Sequence, residues 1–176
     1  MRFPSLVLTL AGAMLMTGCS SLVSLNPFVT DKDAVLDNAL AGMWSGDHDG
    51  EIYTIRQEGA GYVIAYMDQS SQVIQFQARL MKAGEAELLD LVSTNEDPFQ
   101  LPVHSVLRVW PTGNSLRLAF LDTGWLKQQT ARQLPTTTTD GRLLITAPAE
   151  AVRAFLIQFG ADERAYSEPG ILQRLQ

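Results

Sequence analysis

From Gly42 onward the chain is divided into short apolar runs by turn residues at close spacing, and this punctuation limits the fold more than any other feature. The runs are too short for packed helices and predict antiparallel strands. Residues 73–81 are the clearest example. Ile74, Phe76, Ala78 and Leu80 fall on one side and Gln75, Gln77 and Arg79 on the other, as a strand with one buried face requires. The same pattern predicts strands at 43–45, 51–56, 62–68, 87–93, 102–110, 115–121 and 143–146, with turns at 59–61, 68–71, 111–114 and 140–141. The expected fold is mainly all-β, a small antiparallel barrel or sandwich. Residues 62–67 are apolar on both faces, and one of those faces is expected to pack under a helix.

Two segments depart from the strand pattern. Residues 122–133 have helical composition with a cap at Asp122 or Thr123. Residues 148–159 form a clearer helix. Pro148 suits its first turn, Glu150 complements the helix dipole, Val152, Phe155, Leu156 and Phe159 share one face, and Gly160 ends it. Such a stripe must lie against apolar surface, at one end or side of the sheet. The run 136–139, four threonines, is expected to be a solvated loop before the last strand.

The N-terminus carries a different signal. Arg2 supplies a positive start, residues 6–16 an apolar stretch, and small residues precede Cys19. That stretch is about 11 residues long, whereas a bilayer-spanning helix needs roughly 20, so a cleaved export signal is expected. The run Leu15-Met16-Thr17-Gly18-Cys19 resembles the lipobox of bacterial lipoproteins, with Met16 three positions before the cysteine where the family usually has Leu. The resemblance implies a diacylglyceryl (palmitate-type) thioether on Cys19, cleavage before it and an acylated new N-terminus. Two acyl arms hold a protein stably where one binds reversibly. Ser20 and Ser21 follow where an Asp would, by the same resemblance, favour the inner membrane, so the periplasmic face of the outer membrane is expected. The resulting organisation is a signal peptide at 1–18, a lipidated tether at 19–38 and a single β-rich domain with a closing helix at 39–176.

Composition narrows the function. The net charge of −6 argues against nucleic acid and against docking on anionic lipid by charge. Cys19 is the one cysteine, so the folded domain has neither a disulfide nor a thiolate metal site, and its core must stabilise it. With 46% apolar residues it has the material to do so. The region 42–159 also resembles a group of uncharacterised bacterial proteins with a small lipocalin-like domain. The carrying residues are Gly42 and Trp44, Leu88-Leu89-Asp90-Leu91, Leu101-Pro102-Val103-His104, Asp122 with Trp125-Leu126, and the amphipathic helix. This resemblance implies a barrel-like sheet with a terminal helix and no particular activity. Relatives tend to carry Ser where this chain has Pro148.

Three groups of residues are candidates for a site. Asp47-His48-Asp49-Gly50-Glu51 places an imidazole among carboxylates, which suits either a divalent cation or a tight turn. His104 shares a strand face with Arg108 and Trp110 and would act as a base if an acid such as Asp90 or Asp122 held it, although the same geometry serves a structural hydrogen bond. Tyr53, Tyr62, Tyr66 and Trp125 are candidates to line a pocket inside the barrel. No nucleophile elbow, zinc-protease motif or phosphate-cradling loop occurs in the sequence. No catalytic residue, metal or cofactor is therefore assigned. The expected roles are an envelope interaction module using a sheet edge or helix face, a carrier of a small hydrophobic ligand, or, from another class, a hydrolase or metal-dependent enzyme built on His104 or His48.

Overall fold

The computed structural model describes residues 22–46, 50–67, 70–94, 101–130, 134–139 and 141–176. The chain enters on β1 (Leu22–Ser24) and then runs as an antiparallel meander through β2 (Gly42–Ser45), β3 (Ile52–Glu58), β4 (Gly61–Met67), β5 (Val73–Ala83), β6 (Ala86–Ser93), β7 (His104–Thr112) and β8 (Ser115–Phe120). There follow α1 (Thr123–Thr130), the hairpin β9 (Thr136–Thr139) and β10 (Arg142–Ile145), α2 (Ala149–Phe159), a 3-10 turn at Glu163–Ala165 and β11 (Gly170–Arg174). β11 inserts between β8 and β2, antiparallel to both, and closes an eight-stranded antiparallel barrel. Of the two architectures the strand pattern left open, barrel and sandwich, the chain forms the barrel.

Alternation decides what the barrel wall encloses. Ile74, Phe76, Ala78 and Leu80 of β5 face inward, with Leu89 and Leu91 of β6, Leu107 and Val109 of β7 and Leu116 of β8. On β4 it is Tyr62 and Ile64 that face in. A second core lies outside the wall. Met81 and Ala83 of β5, Ala86 and Leu88 of β6, Val106 of β7 and Ala119 of β8 point outward yet are buried beneath the helices, β1 and β10. The run Leu88-Leu89-Asp90-Leu91 is thus apolar on both faces because both faces are covered.

The stripe of α2 packs on this outer wall: Val152, Phe155 and Leu156 are fully buried, each such side chain contributing about 2 kcal/mol. The helix covers β5 and β6, and the outward residues of β4, Val63, Ala65 and Met67, are only half-buried. The expectation that the helix would lie on residues 62–67 is corrected accordingly. Pro148 sits one position earlier than expected, at the N-cap, and makes no side-chain cap. Gly160 ends the helix in ordinary αR geometry. It is needed for space: a Cβ there would meet Leu156 O and come within 2.9 Å of Leu88 Cδ1.

Two segments differ from expectation, and a third is fixed where the sequence left it open. The four threonines form strand β9 and not a loop. β11 follows the helix, so a strand and not the helix completes the barrel. The expected tether at 19–38, whose apolar residues were free to pack on the domain, packs on the barrel over its described part, residues 22–38. Leu22, Val23 and Ser24 are buried, β1 pairs in parallel with β10, and Ser24 lies opposite His104. Phe28 and Val29 are buried in the outer core, and Val35 bridges to Leu80.

The final strand is fastened to the first barrel strand by Arg174. Its guanidinium lies 4.1 Å from the Trp44 ring centroid and donates to Ala39 O at 2.6 Å and Ala41 O at 2.8 Å. Gly42, at φ 146°, makes room for it, since a Cβ at that position would collide with the Arg174 side chain.

Candidate functional site

The two ends of the barrel are built differently. At one end β3–β4, β5–β6 and β7–β8 are joined by two-residue turns, and residues 30–41 cross the opening. Leu40, Trp44 and Leu80 are fully buried there, and Trp44 Nε1 donates to Leu40 O at 3.0 Å. Tyr62 Oη accepts from Asp37 N at 2.6 Å and donates to Asp37 O at 3.2 Å. Burial pushes its phenol above the usual range. This end is shut.

The connections at the other end, 46–51, 68–72 and 94–103, are longer. Toward that mouth the interior holds an apolar cavity of about 230 Å³. Ile64, Leu91, Leu107 and Leu118 form its walls, and Tyr53, Tyr66, Phe76 and Phe120 its upper ring. Phe120 occupies an inward position on β8 and is nonetheless 51% exposed, so the barrel is not sealed over it. Tyr53 and Tyr66 are cross-strand neighbours with ring centroids 4.8 Å apart, and Tyr66 Oη donates to Glu51 Oε1 at 3.1 Å. The cavity exceeds the roughly 150 Å³ that suffices for benzene in an engineered core and falls below the roughly 300 Å³ at which sites for drug-sized ligands begin. Its scale fits one ring or one short alkyl segment.

The four expected pocket residues therefore separate. Tyr53 and Tyr66 line the cavity. Tyr62 faces the interior but belongs to the closed end. Trp125 lies outside the barrel, with Phe155 at 6.0 Å and Phe159 at 5.9 Å, where it cements α1 to α2. The leucines and Phe120 were absent from the expected lining because an inward aliphatic residue in a strand has the same sequence signature whether it meets another side chain or a void.

His104 and Asp90 do come together, on the outer wall. His104 Nδ1 is 2.6 Å from Asp90 Oδ1, and the other carboxylate oxygen accepts from the amides of Phe28 at 2.9 Å and Val29 at 3.2 Å. Asp90 is 5% exposed, so its charge is stabilised by these donors and not by water. The arrangement pins the N-terminal segment to the barrel. Asp122 serves elsewhere, accepting from Trp125 N at 2.5 Å as the cap of α1. Arg108, on the same outward face, lies between Trp110 at 4.5 Å and Tyr166 at 5.3 Å and donates to Ala161 O. Burial drives the Tyr166 phenol far above its usual range, and its Oη donates to Gly160 O at 3.0 Å.

His48, Asp47 and Asp49 lie outside the described residues, as does Cys19. Among the described residues no group of three His, Cys, Asp or Glu side chains is placed to hold a metal ion, and no helix is long and apolar enough to cross a membrane.

The fold and the cavity together define a small antiparallel barrel, shut at one end, with an apolar chamber toward the other that, among the described residues, is left uncovered at Phe120. Compared with protein-family models, curated proteins and solved structures, the chain matches none of them.

Proposed function

We propose that this is an exported lipoprotein, held by acylated Cys19 at the periplasmic face of the outer membrane, whose barrel binds one small hydrophobic molecule or chain segment. The observation that carries the binding role is the apolar chamber of about 230 Å³ with half-exposed Phe120 at its rim. The lipobox-like run ending at Cys19 supports the anchor. Each methylene enclosed contributes about 0.8 kcal/mol. About six to eight of them give roughly 5–6 kcal/mol before the cost of association, which corresponds to tens of micromolar at the tightest.

Native mass spectrometry with lipid extraction tests this on protein purified from its own envelope in mild detergent. The expected result is a co-purifying small apolar molecule that is lost in a doubly filled variant, Ile64→Phe with Leu91→Phe, while the variant stays folded. A ligand-free wild type, together with a filled variant that unfolds, would overturn the proposal by showing that the interior has no room to spare.

A second reading is supported by β9. Among the described residues it pairs with β10 alone, which leaves one edge of the sheet for an added strand from an envelope partner. Its shortness and the preceding Pro135 limit such pairing.

A further inference from the structure

We infer that the chamber selects a ligand whose apolar body ends in an ammonium group, and that it rejects fatty acids and other carboxylates. The inference rests on the binding role proposed above and adds the chemistry of the ligand's head. It follows from which charges the strands bring to the chamber and which they keep away.

The sequence cluster at 47–51 has one carboxylate among the described residues, Glu51. Glu51 precedes β3 with the parity of Tyr53 and Ile55, which both line the cavity. Its carbonyl accepts from Gly46 N at 3.0 Å, so the pairing of β2 with β3 extends to this position. The side chain reaches β4, where Oε1 accepts from Tyr66 Oη at 3.1 Å. A Cβ added to Gly46 would collide with the other oxygen, Oε2, and come within 3.3 Å of Tyr53 Cε2. The missing side chain at 46 is thus what allows the carboxylate to settle beside the tyrosine pair. The ion pairs among the described residues are formed elsewhere and leave Glu51 out.

Bases are kept from the chamber. Its lining includes no Lys, Arg or His. Arg56 of β3, Arg79 of β5, Arg108 of β7 and Arg117 of β8 each alternate with inward neighbours and take outward positions. Lys82 and Arg174 have inward parity but belong to the closed end, where Lys82 pairs with Glu87 and Arg174 is held against Trp44. A ligand's head therefore meets two phenol rings, 4.8 Å apart between centroids, and one carboxylate. An ammonium gains from both, by its charge with Glu51 and by cation–π attraction to the rings. A carboxylate head gains from neither and stands beside a like charge that no described base offsets.

The test uses the full chain purified from its own envelope, stripped of ligand and carried in phosphatidylcholine nanodiscs, with empty nanodiscs as the blank. Titration calorimetry at neutral pH compares phenethylammonium, phenethyl alcohol and phenylpropionate, which share one phenylethyl body and differ in the head. The ammonium is expected to bind roughly tenfold more tightly than the carboxylate, the size of one half-exposed ion pair with one cation–π contact, and the alcohol to fall between them. In Glu51→Gln, which keeps an acceptor for Tyr66, the alcohol should bind as before while the ammonium loses most of its advantage. Gly46→Ala, which displaces the same carboxylate, should weaken the preference likewise. Equal or tighter binding of phenylpropionate to the native protein, or an ammonium preference undiminished in Glu51→Gln, would overturn the selectivity while leaving the chamber a binding site. Binding of none of the three would instead overturn the binding role itself.

Discussion

Asp90 is the residue on which the N-terminal segment depends. Replacing it with Ala leaves two buried amides and the His104 ring without their acceptor. The expected cost is about 3 kcal/mol, read as a lowered denaturation midpoint with faster hydrogen exchange at Phe28 and Val29. His104→Ala removes one of three donors and should cost less. The partnership of His104 with a nearby acid was legible in the sequence. Its purpose was not, because backbone amides some sixty positions away carry no side-chain signature. Asp33 adds a pH dependence. The Thr30 hydroxyl and the paired Arg153 guanidinium outweigh desolvation and hold its carboxyl below the ordinary range. A lowered folded value means that the stabilisation is present above the unfolded carboxylate range near ~4 and is lost as pH falls through the folded value. Hydrogen-exchange protection factors at Ala34 and Val35, taken against the intrinsic rate at each pH, should therefore fall in acid, and Asp33→Asn should remove that acid step.

At the scale of elements, the amphipathic stripe of α2 and the alternation of β5 were plain because periodicity reports burial on one face. The helix's location was not. Several strands are apolar on both sides, and nothing in their composition tells β4, whose outward residues stay half-buried, from β5 and β6, which carry the helix. β9 and β11 were missed for different reasons. The threonines have the β-branched character of a strand but no alternation, and in Gly170–Arg174 the two apolar residues, Ile171 and Leu172, are adjacent and so do not alternate either. Gly160→Ala should destabilise by about 1–3 kcal/mol, because the added methyl would push α2 off Leu88; a thermal melt reads this directly. Removing residues 170–176 should abolish cooperative melting altogether, since β8 and β2 would lose the strand that joins them.

For the whole molecule, the chamber makes a prediction opposite to that for a packed core. Enlarging Leu91 to Phe in a filled interior would cost about 1–3 kcal/mol, whereas in this barrel it should be neutral or stabilise by up to about 1 kcal/mol, raising the melting temperature by a few degrees. Differential scanning calorimetry on ligand-stripped protein separates the two outcomes. The antiparallel β class was legible from its strands and turns, with barrel and sandwich both open, and Tyr53 and Tyr66 were legible as candidates to line a pocket. A void has no residue of its own and so could not be read from the chain.

Because Arg174 and its strand come after the seven strands they complete, the seam of the barrel is sewn late in synthesis. A ribosome still at work on this chain therefore holds an unfinished ribbon with two open edges. Its commitment to the closed barrel is postponed until β11 has emerged, an order of events that keeps the polypeptide threadable until then.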